Sequence, residues 1–144
     1  MHATLALPTG RLIVGDPSAL FGDAKPLDLV LPPGEYQVSA DGSGLELRLA
    51  DAEPERWETL APGFDAPSGY VCLLDESALT DFTDLGDEPV DEYELLTERL
   101  REHPDEPVEF SGLVVFPLAD ADRVRALRAG CDRNGRCTRI TAEF

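Results

Sequence analysis

Glu35-Tyr36-Gln37-Val38-Ser39-Ala40, then Asp41-Gly42-Ser43-Gly44, then Leu45-Glu46-Leu47-Arg48-Leu49: two short runs flank a turn that carries two glycines. In the second run leucines alternate with charged residues, the period-two pattern of a half-buried strand. Aspartate, serine and glycine between the runs supply hairpin chemistry, with glycine adopting positive φ where the turn needs it. The stretch predicts an antiparallel pair.

The same grammar extends in both directions. Upstream, Thr4-Leu5-Ala6-Leu7, Arg11-Leu12-Ile13-Val14-Gly15 and Leu27-Asp28-Leu29-Val30-Leu31 read as strands. They are broken at Pro8-Thr9-Gly10, Asp16-Pro17 and Pro32-Pro33-Gly34. Proline pushes the residue before it out of the α region, so Asp16-Pro17 marks a strand end. Downstream, Arg56 to Leu60 and Tyr70 to Leu74 continue the array, and Val108 to Pro117 reads as one buried strand because Leu113-Val114-Val115-Phe116 is continuously apolar. Asp132-Arg133-Asn134-Gly135 is turn chemistry before an alternating strand, Arg136 to Ala142. Asp120 to Ala129 has two readings. One is a helix capped at Asp120 or Asp122 and ended by Gly130; the other, preferred, is a bend followed by a strand through Cys131.

The segment 75–109 differs. Asp75 can cap a short helix through Phe82. Asp91 to Glu102 predicts the best helix of the chain, with Tyr93, Leu96 and Leu100 on one stripe and Glu94, Glu98 and Glu102 on another. His103-Pro104 stops it. Leu95, Leu96 and Leu100 are expected to anchor this segment to a core. The fold class expected is therefore α+β: one domain over residues 1–144, a mainly antiparallel β-sheet core, and one or two helices from the acidic middle packed beside it.

Charge is segregated. Residues Asp75 to Glu109 hold fourteen acidic side chains and two basic ones, so most of the chain's −17 lies there. Asp120 to Phe144 carries six arginines against four acids. Such a surface draws basic proteins and repels nucleic acid and anionic membranes. The tail arginines are expected to pair with the acidic block. An apolar content of 42% supports a true core. No apolar run is long enough to span a bilayer, and Met1-His2-Ala3-Thr4 lacks the features of a signal peptide, so the cytoplasm is the expected compartment.

Chemistry-bearing constellations are sparse. The two histidines, His2 and His103, sit at a terminus and at a predicted helix end, and no G-x-S-x-G elbow or phosphate-cradling loop occurs. Asp81, Gly86 and Glu92 match positions of a calcium-loop template, but Leu85 and Pro89 occupy places that need oxygen ligands. Cys131 and Cys137 flank the last turn without further zinc ligands. A type I turn with a bulge at Gly135 would set them directly opposite one another, whereas a two-residue turn would set Cys131 opposite Thr138. Two reduced thiols are the expected state in a reducing compartment. No metal or cofactor is expected, and no enzymatic activity.

Several landmarks, in order, resemble a family. Leu7-Pro8-Thr9-Gly10-Arg11-Leu12 with Asp16-Pro17, and Pro32-Pro33-Gly34-Glu35-Tyr36-Gln37-Val38, look like the start of the DUF4241 family of small bacterial proteins. Arg56-Trp57-Glu58, Gly63-Phe64-Asp65-Ala66-Pro67-Ser68-Gly69 and Leu74-Asp75 resemble its middle. Gly130-Cys131-Asp132-Arg133-Asn134-Gly135-Arg136 and Thr141-Ala142-Glu143-Phe144 resemble its closing hairpin. The family's Gly/Asp/Tyr/Trp-rich segment before that hairpin is replaced here by Pro117 to Ala129. The resemblance implies a β-rich domain of a class suspected of immunity or antitoxin roles.

The functional expectation is a non-enzymatic cytoplasmic binding protein that docks a basic partner, such as a toxin, through Asp84, Asp87, Glu88, Asp91, Glu92, Glu94 and Glu98, with Tyr93 as an aromatic anchor. The alternatives are a DNA mimic, whose carboxylates imitate phosphates, and an acidity that serves solubility alone.

Overall fold

A computed structural model describes residues 2–17, 26–41, 43–78, 89–102, 106–110, 112–118 and 123–144, with side chains described throughout except at 89–93 and 110. Among the described residues ten strands run in chain order: β1 His2–Leu7, β2 Leu12–Gly15, β3 Gly34–Asp41, β4 Gly44–Arg48, β5 Arg56–Asp65, β6 Tyr70–Asp75, β7 Val108–Phe110, β8 Leu113–Pro117, β9 Arg123–Cys131 and β10 Cys137–Glu143. They form two antiparallel sheets, ordered β1-β3-β4-β10-β9-β5 and β2-β6-β8-β7. The acidic helix, Pro89–Glu102, lies between β6 and β7 in sequence. The expected α+β class with a mainly antiparallel core is what the chain adopts.

Alternation explains the larger sheet. Leu5 and Leu7, Val38 and Ala40, Leu45 and Leu47, Leu127 and Ala129, and Ile140 and Ala142 point inward and are buried. Most of their neighbours in these strands are partly or fully exposed, Gly130 and Arg139 being buried exceptions. The smaller sheet has no such alternation, because both its faces are covered. Val71 and Leu73 of β6 and Val114 and Phe116 of β8 meet the six-stranded sheet in the main core. Cys72, Leu74, Leu113 and Val115 point the other way, into a second core closed by Leu96 and Leu100 of the helix. The molecule is thus three layers: six strands, four strands, helix.

Three local expectations are corrected. Val108 to Pro117 is a hairpin, β7 against β8, rather than one strand. Leu27 to Leu31 forms no named strand. It runs beside β2, held by the Leu27 N–H on the Leu12 carbonyl (2.9 Å), the Leu31 N–H on the Gly10 carbonyl (2.8 Å) and a single Arg11–Val30 bridge. Prolines at 26 and 32 limit the length available for pairing. Leu95 does not anchor the helix; it is 49% exposed.

The preferred reading of the tail holds: β9 is a strand, and no helix runs through residues 123–129. The closing turn takes the bulged form. The Gly135 N–H bonds the Asp132 carbonyl at 3.1 Å, the Asp132 N–H bonds the Arg136 carbonyl at 2.9 Å, and Gly135 has a φ of 80°. Cys131 and Cys137 consequently stand directly opposite each other.

Gly10 has a φ of 74°, and a Cβ there would run into the carbonyl of Leu31. Gly10→Ala is therefore expected to destabilise the fold by about 1–3 kcal/mol from backbone strain, plus the displacement of residue 31. Urea unfolding measures it; an unchanged midpoint would contradict the packing of this loop against residue 31.

Candidate functional site

The acidic helix starts at Pro89, whose ring fixes a helical φ where no N–H partner is needed. It carries Arg99 and Arg101 in its last turn, complementing the helix dipole. Leu96 and Leu100, one turn apart, are buried in the second core with Leu74, Val108, Leu113 and Val115. That anchorage turns the other side outward, and Glu94, Glu98 and Glu102 are exposed along it. Like charges four residues apart cost a helix about 0.2–0.5 kcal/mol per pair. Arg101, three residues from Glu98, and Arg99, three residues from Glu102, are spaced to offset that cost.

Of the residues expected at the contact surface, Glu94 and Glu98 are brought together on this ridge, with exposed Leu95 beside them. Asp91, Glu92 and Tyr93 belong to the same helix, but their side chains lie outside the described set. Asp84, Asp87 and Glu88, and most of the calcium-loop template, lie outside the described residues. Among the described residues no three His, Cys, Asp or Glu side chains group as a metal site, and no helix is long and apolar enough to cross a membrane.

The tail arginines do not pair as expected. Arg128 Nη1 meets Glu143 Oε1 at 3.1 Å, Arg133 Nη2 meets Glu55 Oε1 at 3.7 Å, and Arg139 Nε meets Glu46 Oε1 at 3.6 Å. All three carboxylates lie outside 75–109. The sheet order explains this: β10 sits between β4 and β9, in the layer farthest from the helix. Arg139 is itself buried, with Nη1 donating to the carbonyls of Ala50 and Thr138.

Two buried aspartates serve the framework. Asp75 accepts from the Thr9 N–H (3.1 Å) and hydroxyl, and from the Ser77 N–H (2.9 Å) and hydroxyl (2.7 Å). It caps the helical residues 76–78, as expected of it, and also ties them to the β1–β2 turn; the expected continuation of that helix to Phe82 lies outside the described residues. Burial pushes its carboxyl up, but the Ser77 and Thr9 hydrogen bonds favour the anion more strongly, and the net displacement is downward. Asp16 accepts from the Ser68 N–H at 3.2 Å and from its hydroxyl, fastening the end of β2 to the β5–β6 turn. Nothing in the sequence signals Thr9 as a partner of Asp75 or Ser68 as a partner of Asp16, each more than fifty residues away.

The three cysteines are free thiols. Burial, with the Asp16 charge adding to it, pushes Cys72 up to about 12. Burial, then the neighbouring Cys131, pushes Cys137 up to about 11, and its thiol donates to the Arg139 carbonyl at 3.3 Å. Thiolate is the reactive form.

Two outcomes follow. Native protein at neutral pH should resist alkylation at Cys72 and Cys137, and all three cysteines should be modified once it is unfolded; rapid native labelling of those two, or a thiol missing after unfolding, would contradict the arrangement. Because the Asp75 carboxyl is held below the ordinary aspartate range, its stabilisation is complete above the unfolded value and is lost as pH falls through the folded one. Asp75→Asn should lower stability at neutral pH and flatten the acid decline seen in denaturant melts, whereas an unchanged decline would show that Asp75 is not responsible.

Comparison with protein-family models, with curated proteins and with solved structures finds no match, so the likeness to the DUF4241 family rests on the landmark residues alone.

Proposed function

We propose that this chain is a non-enzymatic binding protein of the immunity or antitoxin type, which docks a basic protein through the outward face of the helix Pro89–Glu102. The observation that carries this reading is the partnering of the tail arginines. Arg128, Arg133 and Arg139 neutralise Glu143, Glu55 and Glu46, while the ion pairs among the described residues include none of Glu94, Glu98 and Glu102. A carboxylate ridge left outside these ion pairs is suited to a cationic counterpart supplied from outside.

The ridge occupies one side of one helix. A DNA mimic needs carboxylates spaced along two sides of a long array, so this geometry favours docking of a protein. Leu95 adds an apolar contact within the charges, and Tyr93 is the proposed aromatic anchor. Asp84, Asp87, Glu88, Asp91 and Glu92 extend the proposed acidic surface. Free thiols facing each other across β9 and β10 suit a reducing cytoplasm, where such a protein would neutralise a toxin made in the same cell.

The test is affinity capture followed by association kinetics on the captured partner. The partner should be basic, and its association rate should fall at least about ten-fold from low to high salt. Glu94→Lys with Glu98→Lys should slow association comparably while leaving the melting temperature nearly unchanged. An acidic partner, or association indifferent to both salt and charge reversal, would overturn the proposal.

A further inference from the structure

The face of the molecule opposite the helix carries a different surface. Strand register sets Thr59, Arg128, Thr141, Glu46, Ser39 and His2 in one transverse row across all six strands of the larger sheet. The adjacent row begins at Trp57, which is paired with Gly130. Trp57 is 48% exposed, unusual for the chain's single tryptophan. Its six-membered ring lies over Gly130: a Cβ there would meet Cη2 and Cζ3 at 3.0 Å and Pro54 Cβ at 2.7 Å. The missing side chain at 130 is what lets the indole seat against the sheet.

Beside it lies an open groove of about 640 Å³, lined by Ser39, Asp41, Glu46, Trp57, Arg128 and Thr141 among others. Small-molecule sites run from about 300 to 1,000 Å³. The lining carboxylates are already engaged: Glu143 meets Arg128 at 3.1 Å, Glu46 meets the buried Arg139 at 3.6 Å, and Asp41 accepts from the Ser43 N–H and hydroxyl and the Gly44 N–H. An ionic ligand would compete with these contacts for the same groups. A hydroxyl need not, because it donates to a carboxylate and accepts from a guanidinium or another hydroxyl at the same time. Ser39 and Thr141 add groups with the same double capacity. The indole supplies a flat apolar surface of the sort that covers the C–H face of a sugar ring.

We infer that this groove binds a neutral carbohydrate, a short oligosaccharide stacked on Trp57 with its hydroxyls meeting the Arg128–Glu143 pair, Glu46 and Thr141. The site is independent of the proposed acidic docking surface, since the four-stranded sheet separates the two.

Because Trp57 is the only tryptophan, its emission reports the groove directly. The probes are neutral hexasaccharides of three chemistries: a β-linked glucan, an α-linked glucan and an N-acetylglucosamine polymer. At least one should give a saturable emission change at micromolar to millimolar concentration, unaltered between low and high salt. By calorimetry, Trp57→Ala should weaken that binding by at least about ten-fold, Trp57→Phe should retain most of it, and Thr141→Val should weaken it several-fold. Circular dichroism establishes that each variant is folded, and Glu94→Lys with Glu98→Lys should bind the sugar as the parent does. No saturable response to any of the three hexasaccharides overturns the inference. So does a salt-sensitive preference for sulfate or for a quaternary ammonium, which would mark an ion site instead.

Discussion

A four-stranded sheet that is apolar on both faces cannot stand at the surface. Leu73 and Phe116 look one way and Leu74 and Val115 the other, and all four are essentially removed from solvent. Each such side chain contributes about 1.5–3 kcal/mol when buried. One cover is the six-stranded sheet; the other is the helix, through Leu96 and Leu100. The acidic segment is thus held in place by the small sheet's need for a lid. Its exposed glutamates follow from that role, since one helix face must be apolar and the other is left to water.

Polar groups buried along this stack act as fasteners. Asp75, Asp16 and Arg139 each join segments distant in sequence, and among the described residues no buried side-chain nitrogen or oxygen lacks a partner. Removing one partner of such a group leaves the other desolvated, at a cost of about 1–3 kcal/mol. These contacts also fix the two faces of the molecule relative to the core, so the charged ridge and the sheet groove are set on opposite layers.

Local signals in the chain carried far. The Glu35–Leu49 hairpin, the Asp132–Gly135 turn and the Leu96–Leu100 spacing each reappear in the fold, because they depend on neighbours a few residues away. Long-range pairing was hidden. Val108 to Pro117 is apolar enough for one strand, yet its two ends, β7 and β8, pair with each other. β5 runs on through Pro62, which a central strand would not tolerate; among the described residues it is an edge strand, paired with β9. The tail arginines take carboxylates from β4, from the segment before β5 and from β10 itself, because the order β4-β10-β9-β5 brings these together. The polar row across the larger sheet draws on six strands scattered from residue 2 to residue 141, and no contiguous motif marks it.

The central claim is that the acidic helix is an ordered layer locked onto the small sheet by Leu96 and Leu100. Amide hydrogen exchange across residues 94–102 tests it most directly. Those amides should exchange much more slowly than an unfolded chain, and Leu96→Ala should abolish that protection while β3, β4 and β10 keep theirs. Exchange at unfolded-chain rates in the parent protein, or protection indifferent to Leu96→Ala, would contradict the docked helix and with it the outward carboxylate ridge.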